Sequence, residues 1–151
     1  MRRQPAGPER RLIAAAEGGD PHAQFNLGVL YDSRFDDSGR PVEGNRAEAL
    51  KWLLRSAQQG LARAQNRLAE LYEQGPEASR NCVKTAFWFH VAKANLNGAY
   101  RQAAQSGYDR VLARMTPPQI AKVERAVQTW KPTQENAPAR PNQVNSASRS
   151  I

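Results

Sequence analysis

The chain has 151 residues, 40% of them hydrophobic, with 22 basic against 14 acidic side chains and a net charge of +8. That suffices for one domain with a real core. One cysteine excludes an intrachain disulfide, and no run approaches the roughly 20 apolar residues of a membrane span. The first apolar stretch, Leu12 to Ala16, is shorter than the about 7–15 residues of a signal-peptide core and runs into Glu17-Gly18-Gly19-Asp20. As the sequence stands it reads as cytoplasmic and soluble, or as exported if a signal peptide lies upstream of Met1.

In chain order, residues 1–11 hold Pro5, Gly7 and Pro8 among four arginines and read as a flexible basic arm. Asp20-Pro21 supplies an N-cap and a proline suited to the first helical turn, predicting a helix from about Pro21 to Asp32 with Ala23, Leu27 and Tyr31 on one face. Asn45 and Glu48 form a capping box for a second helix carrying Ala49, Trp52, Leu53 and Ala57, which Gly60 stops. Residues 61–74 repeat the first pattern with Ala64, Leu68 and Tyr72, and Gly75-Pro76 ends it. Asn81 caps a further helix through Phe87, Trp88 and Phe89 to about Gly98, and another occupies roughly Ala99 to Met115. Thr116-Pro117-Pro118-Gln119 is a capping box opening a last helix to about Trp130, which Pro132 closes. Residues 133–151, rich in Pro, Asn, Gln and Ser, are expected to be disordered. β-Branched residues are few and never alternate, so no strand is expected.

The charge is spread along the chain. Residues 1–11 carry a net +3, residues 131–151 a net +2, and the body between holds 15 basic and 12 acidic residues with the signs interspersed. A nucleic-acid footprint would cluster on one face among stacking aromatics. The pattern disfavours nucleic acid and leaves weak contact through the basic tails as a second alternative function.

The informative feature is a repeat. Ala23, Gln24, Leu27 and Tyr31 recur 41 residues later as Ala64, Gln65, Leu68 and Tyr72, with Gly28 answered by the small Ala69. Within each unit a second helix brings Trp52, Ala57 and Gly60, then Trp88, Ala92 and Gly98. Paired amphipathic helices cannot bury both faces alone, so neighbours must stack, and small residues let backbones approach.

The run 23–31 (Ala-Gln-Phe-Asn-Leu-Gly-Val-Leu-Tyr), with Ala47-Glu48-Ala49-Leu50-Lys51-Trp52 and Ala57-Gln58-Gln59-Gly60, resembles a Sel1-like repeat, a relative of the tetratricopeptide repeat. The resemblance implies an all-α fold, a short right-handed α-solenoid of antiparallel helix pairs with a C-terminal capping helix. It covers residues 12–132: a half unit at 12–19, repeat 1 at about 21–60, repeat 2 at about 61–98, and a degenerate unit with closing helix at 99–131. The departure is in the degenerate unit, where Arg110 or Val111 stands at the place of the tyrosine and Gly107 lies in the interior.

Chemistry is thin. Two histidines and one cysteine make no zinc spacing, and His90, beside Phe87-Trp88-Phe89, reads as a packing residue with no triad partners in reach. Cys82 at a helix start reads as inert. Asp32, Asp36, Asp37 and Gly39 miss the EF-hand order and read as a polar turn. No enzyme activity, metal or cofactor is expected.

The resemblance implies a partner protein or peptide bound on the concave surface lined by the first helix of each unit, with the chain acting as scaffold or adaptor. Projection leaves His22, Phe25, Asn26 and Val29 exposed, with Arg63, Asn66, Arg67 and Glu70 at matching places and Arg101 opening the next helix. Asn26, Arg63, Asn66, Arg67 and Arg101 are the expected partner-binding residues, the guanidinium groups suiting carboxylates or carbonyls. Some cysteine-rich relatives are associated with β-lactam binding through disulfide-paired helices, which one cysteine cannot build. A small-ligand-binding or hydrolase-like role is therefore the first alternative. No membrane contact is expected, and the chain is expected to be a monomer or weakly self-associating.

Overall fold

A computed structural model describes residues 7–32, 38, 40, 45–75 and 81–135. Among them are seven helices and no strand: α1 (Gly7–Glu17), α2 (Pro21–Asp32), α3 (Asn45–Gln58), α4 (Ala62–Gln74), α5 (Cys82–Ala94), α6 (Gly98–Leu112) and α7 (Pro117–Thr129). Each of α1 to α6 packs on its sequence neighbour, and α7 returns to lie on α5. This is a short α-solenoid.

Local chemistry sets most of the boundaries. Asp20 Oδ1 accepts from the backbone N–H of His22 at 2.9 Å and of Ala23 at 3.4 Å, capping α2 as expected. Thr116 and Gln119 close their reciprocal box at the start of α7. Gly19 and Gly60 take φ of +102° and +101° in the turns that end α1 and α3, a left-handed conformation that a side chain would strain. The two turns are 41 residues apart, like the helices they precede.

Four boundaries differ from the sequence reading. The helix α1 starts at Gly7, so residues 7–11 of the basic arm are helical; Pro8 and Glu9 both suit a first turn, and Leu12 and Ile13 anchor the helix against Ala16, Ala23, Leu27 and Trp52. Asn45 is the first residue of α3 and not its cap, while Glu48 lies 3.8 Å from Lys51 in an ion pair one turn on. Asn81 stands at the N-cap of α5 without a side-chain bond. Residues 133–135, assigned to the disordered tail, dock on the first unit. Thr133 N–H donates to the Gln58 carbonyl at 2.8 Å, and the Glu135 carboxylate meets Gln24, Arg55 and Gln59. The remainder of the tail, residues 1–6, and Asp36, Asp37 and Gly39 of the polar turn lie outside the described residues.

The main core runs from Ala49 and Leu53 through Leu68, Trp88 and Phe89 to Val111 and Val123. Full burial of Leu27, Leu53 and Leu68 contributes about 1.5–3 kcal/mol each. Trp130 seals the C-terminal end, meeting Phe87 and Trp88 edge-on with ring centroids 6.4 and 6.0 Å apart. Two glycines admit neighbours. A Cβ on Gly28 would stand 2.7 Å from Leu53 Cγ, and one on Gly107 would stand 2.5 Å from the Phe89 ring. The interior glycine of α6 is thus the slot for a fully buried phenylalanine.

Glu135 is held charged. Burial opposes ionisation, but hydrogen bonds from Gln24 and Arg55 and the Arg55 charge outweigh it and keep the carboxyl below its usual range. A depressed carboxylate stabilises above its unfolded pKa and loses that contribution as pH falls through the folded one. Amide-exchange protection at Thr133 is therefore expected to hold at neutral pH and to be lost, ahead of the helical core, as the pH falls below the usual carboxylate range. Separately, Gly107→Ala is expected to lower stability in urea by about 1–3 kcal/mol despite the better helix former, because Phe89 has no room to move.

Candidate functional site

The first helices of the units, α2, α4 and α6, share one face, and a cavity of about 280 Å³ opens on it. Phe25 of α2 forms one wall, Tyr100 and Ala103 of α6 the other, with Leu96 at one end. Arg63, Asn66, Arg67 and Glu70 of α4 form the floor. One turn of helix separates Arg63 from Asn66 and Arg67, so all three reach the same side.

The two floor arginines differ in state. Arg67 bonds to Asp32 and, at 3.0 Å, to Glu70. Burial works against its charge, yet the hydrogen bonds and charges of Asp32 and Glu70 prevail and push its pKa up. It is already neutralised. Arg63 makes no ion pair among the described residues; its guanidinium lies 5.1 Å from the centre of the Phe25 ring and 5.6 Å from that of Tyr100. Two aromatic faces hold a cation whose hydrogen-bonding edge stays open. Tyr100, at 59% exposure, is the more solvent-accessible of the two large exposed hydrophobics among the described residues.

Asn66 is the second notable group. It is only 9% exposed, and its Nδ2 donates to Glu70 Oε1 at 3.2 Å. A carboxylate only accepts, so the nitrogen must face Glu70, and Oδ1 is left buried with no partner among the described residues. An unsatisfied buried acceptor is costly and asks for an N–H.

Of the five residues expected to bind a partner, the structure gathers Arg63, Asn66 and Arg67 in the cavity. Asn26 and Arg101 are exposed on the same helices but do not line it. Asn66, expected on the surface, is instead sunk between the walls. Phe25 and Tyr100 gain their role by holding Arg63. The only hint of Tyr100 in the sequence is a large aromatic in the first turn of a helix that needs no core residue there.

Elsewhere the structure offers little chemistry. His90 meets Tyr108 edge-on at 5.0 Å; burial, aided by Lys93, lowers its pKa and leaves a neutral packing residue. His22 is exposed and Cys82 half-buried. No cluster of three or more His, Cys, Asp or Glu could hold a metal, and no helix is long and apolar enough to cross a membrane, among the described residues.

Paired helices, a repeated set of core positions and a groove on the first-helix face define a repeat solenoid of the tetratricopeptide-like type. The chain belongs to the Sel1-repeat family, whose repeat model matches residues 21–61 and 62–95. It is also similar to the crystal structure of a protective antigen present in uropathogenic Escherichia coli strains and displaying an SLR fold. The two are 27% identical with a TM-score of 0.64 over 80% of this chain, which spans 24% of that one. No curated protein matches the chain. Sel1 repeats are in general protein-interaction modules and non-catalytic scaffolds.

The two arginines should separate on mutation. Arg67→Ala is expected to cost about 1–2 kcal/mol in urea unfolding, since it strips partners from two carboxylates. Arg63→Ala should cost less than about 1 kcal/mol, the size of an exposed cation–π contact.

Proposed function

We propose that the chain is a non-catalytic interaction module that binds an extended segment of a partner protein in the groove formed by α2, α4 and α6. The observation that carries this reading is the pair at the groove floor, an Arg63 guanidinium with no counterion and an Asn66 side-chain carbonyl with no donor among the described residues. A peptide in extended conformation offers both complements, a backbone N–H for Asn66 and a carbonyl or carboxylate for Arg63. Phe25 and Tyr100 supply the apolar walls that exclude water around those bonds. The groove is short, and its one free cation among the described floor residues favours a segment bearing a single acidic group.

The test compares affinity purifications of the full chain and its Arg63→Ala/Asn66→Ala variant, read by mass spectrometry, followed by peptide arrays of the proteins recovered. Array peptides bound by the wild type are expected to carry an acidic residue and to lose at least about tenfold in affinity to the variant. Identical recovery and binding by the two chains would show that the groove is not the binding surface.

A further inference from the structure

A second polar site lies on the first unit, away from the groove, and it is filled by the chain itself. After α7 the backbone passes Gly60 at Pro132 and reaches Glu135. Arg55 donates to Glu135 Oε1 from Nε at 2.9 Å and from Nη2 at 2.8 Å. Gln24 and Gln59 both donate to Oε2, Gln59 at 2.9 Å. Gln59 Oε1 accepts the Glu135 backbone N–H at 3.0 Å. Backbone and carboxylate of one residue are thus read together, as a receptor reads a bound peptide.

Most of the site is held in place by bonds other than those to its occupant. Gln24 is fully buried, and its Nε2 also donates to the Ala16 carbonyl at 3.0 Å while its Oε1 accepts from Gln59 at 2.9 Å. Gln59 Nε2 also reaches the Gly19 carbonyl at 2.8 Å. Arg55 rests 4.8 Å from the centre of the Trp52 ring and is partly open to water. Departure of Glu135 would leave Gln59 Nε2 with acceptors for both hydrogens and Arg55 open to water, while the second Nε2–H of Gln24 would lose its acceptor. The site thus keeps its shape and asks for another carboxylate oxygen in place of the one that leaves. The second unit lacks it. As Trp88 answers Trp52, the buried Val91 answers Arg55, and Gln65 Oε1 has no partner among the described residues.

We propose that Gln24, Arg55 and Gln59 form a binding site for an extended acidic peptide segment. The chain's own Thr133–Glu135 is its resident occupant, and an acidic segment of another protein takes the site by displacing it. This site shares no residue with the α2–α4–α6 groove and stands or falls independently of the reading proposed for that groove. The resident segment is joined to α7 by three residues, so its effective concentration is in the millimolar range and it shuts out competitors present at micromolar levels. A segment longer than Thr133–Glu135, able to add contacts along Gln58, Trp130 and Lys131, would overcome that advantage.

The test titrates a fluorescent hexapeptide of residues 131–136, and its counterpart with glutamine in place of the glutamate, into full-length wild type, Glu135→Ala and Glu135→Ala/Arg55→Ala. The acidic peptide is expected to bind Glu135→Ala at least about tenfold more tightly than wild type. The glutamine peptide, and the doubly substituted chain, should each lose at least about tenfold. Equal binding of both peptides, or of neither, to Glu135→Ala would overturn the proposal. So would loss of the helical circular dichroism of Glu135→Ala, because an occupant that can be displaced is not required for folding.

Discussion

The array rests on one hydrogen bond made twice. The last carbonyls of a helix lack the usual donor one turn on, and at the turn between units those of Ala16 and Ala57 take the N–H of Gly19 and Gly60, at 3.1 and 3.0 Å, and a glutamine side chain besides. Gln24 donates to the Ala16 carbonyl at 3.0 Å, and Gln65 donates to the Ala57 carbonyl at 3.1 Å, each reaching back eight residues across a turn made by a left-handed glycine. Both glutamines are fully buried. The bond sets how the second helix of one unit meets the first helix of the next, and only with that angle fixed do α2, α4 and α6 lie side by side. The groove between Phe25 and Tyr100 is a product of that repeated geometry.

How much of this could be read beforehand depends on how far apart the interacting residues stand. The helix pairs were legible because their determinants are local: Asp20 before α2, the Thr116 box, the glycines at 19 and 60, and the spacing of Leu27, Trp52, Leu68 and Trp88. The repeat added register, since the same residue types return after one unit. The groove was legible in outline, because projecting α4 puts Arg63, Asn66 and Arg67 on one side. What projection could not supply was the state of each group. Arg67 is taken by Asp32 from the preceding unit, and Asn66 is buried by walls from two other helices. Asn26 and Arg101 share those helices yet sit clear of the cavity for the same reason, since a helical wheel carries no information about where a neighbour's side chain rises.

The docked segment was illegible for a stronger reason. Lys131 to Glu135 is polar and proline-containing, a composition that by itself cannot offset the entropy of ordering. It is ordered by side chains 76 to 111 positions earlier in the chain. Solenoid units ordinarily contact only their neighbours, so a bond from beyond the closing helix back to the first unit lies outside what a nearest-neighbour pattern encodes. The helical start of α1 escaped for the opposite reason, because Pro8 and Gly7 resemble a linker until Leu12 and Ile13 find Trp52 to pack against.

The clamp on Glu135 also fixes how tension travels through the molecule. Sequence beyond that residue leaves from a point attached to the first unit, although the helix before it packs on α5 in the second. A pull applied beyond Glu135 is borne first by the Arg55–carboxylate fork at the first unit. The contact of α7 with α5 is loaded only after the fork opens. Bonds stressed in that order yield one after another, so the closing helix is shielded from strain until a polar linkage, able to re-form without unfolding, has already given way.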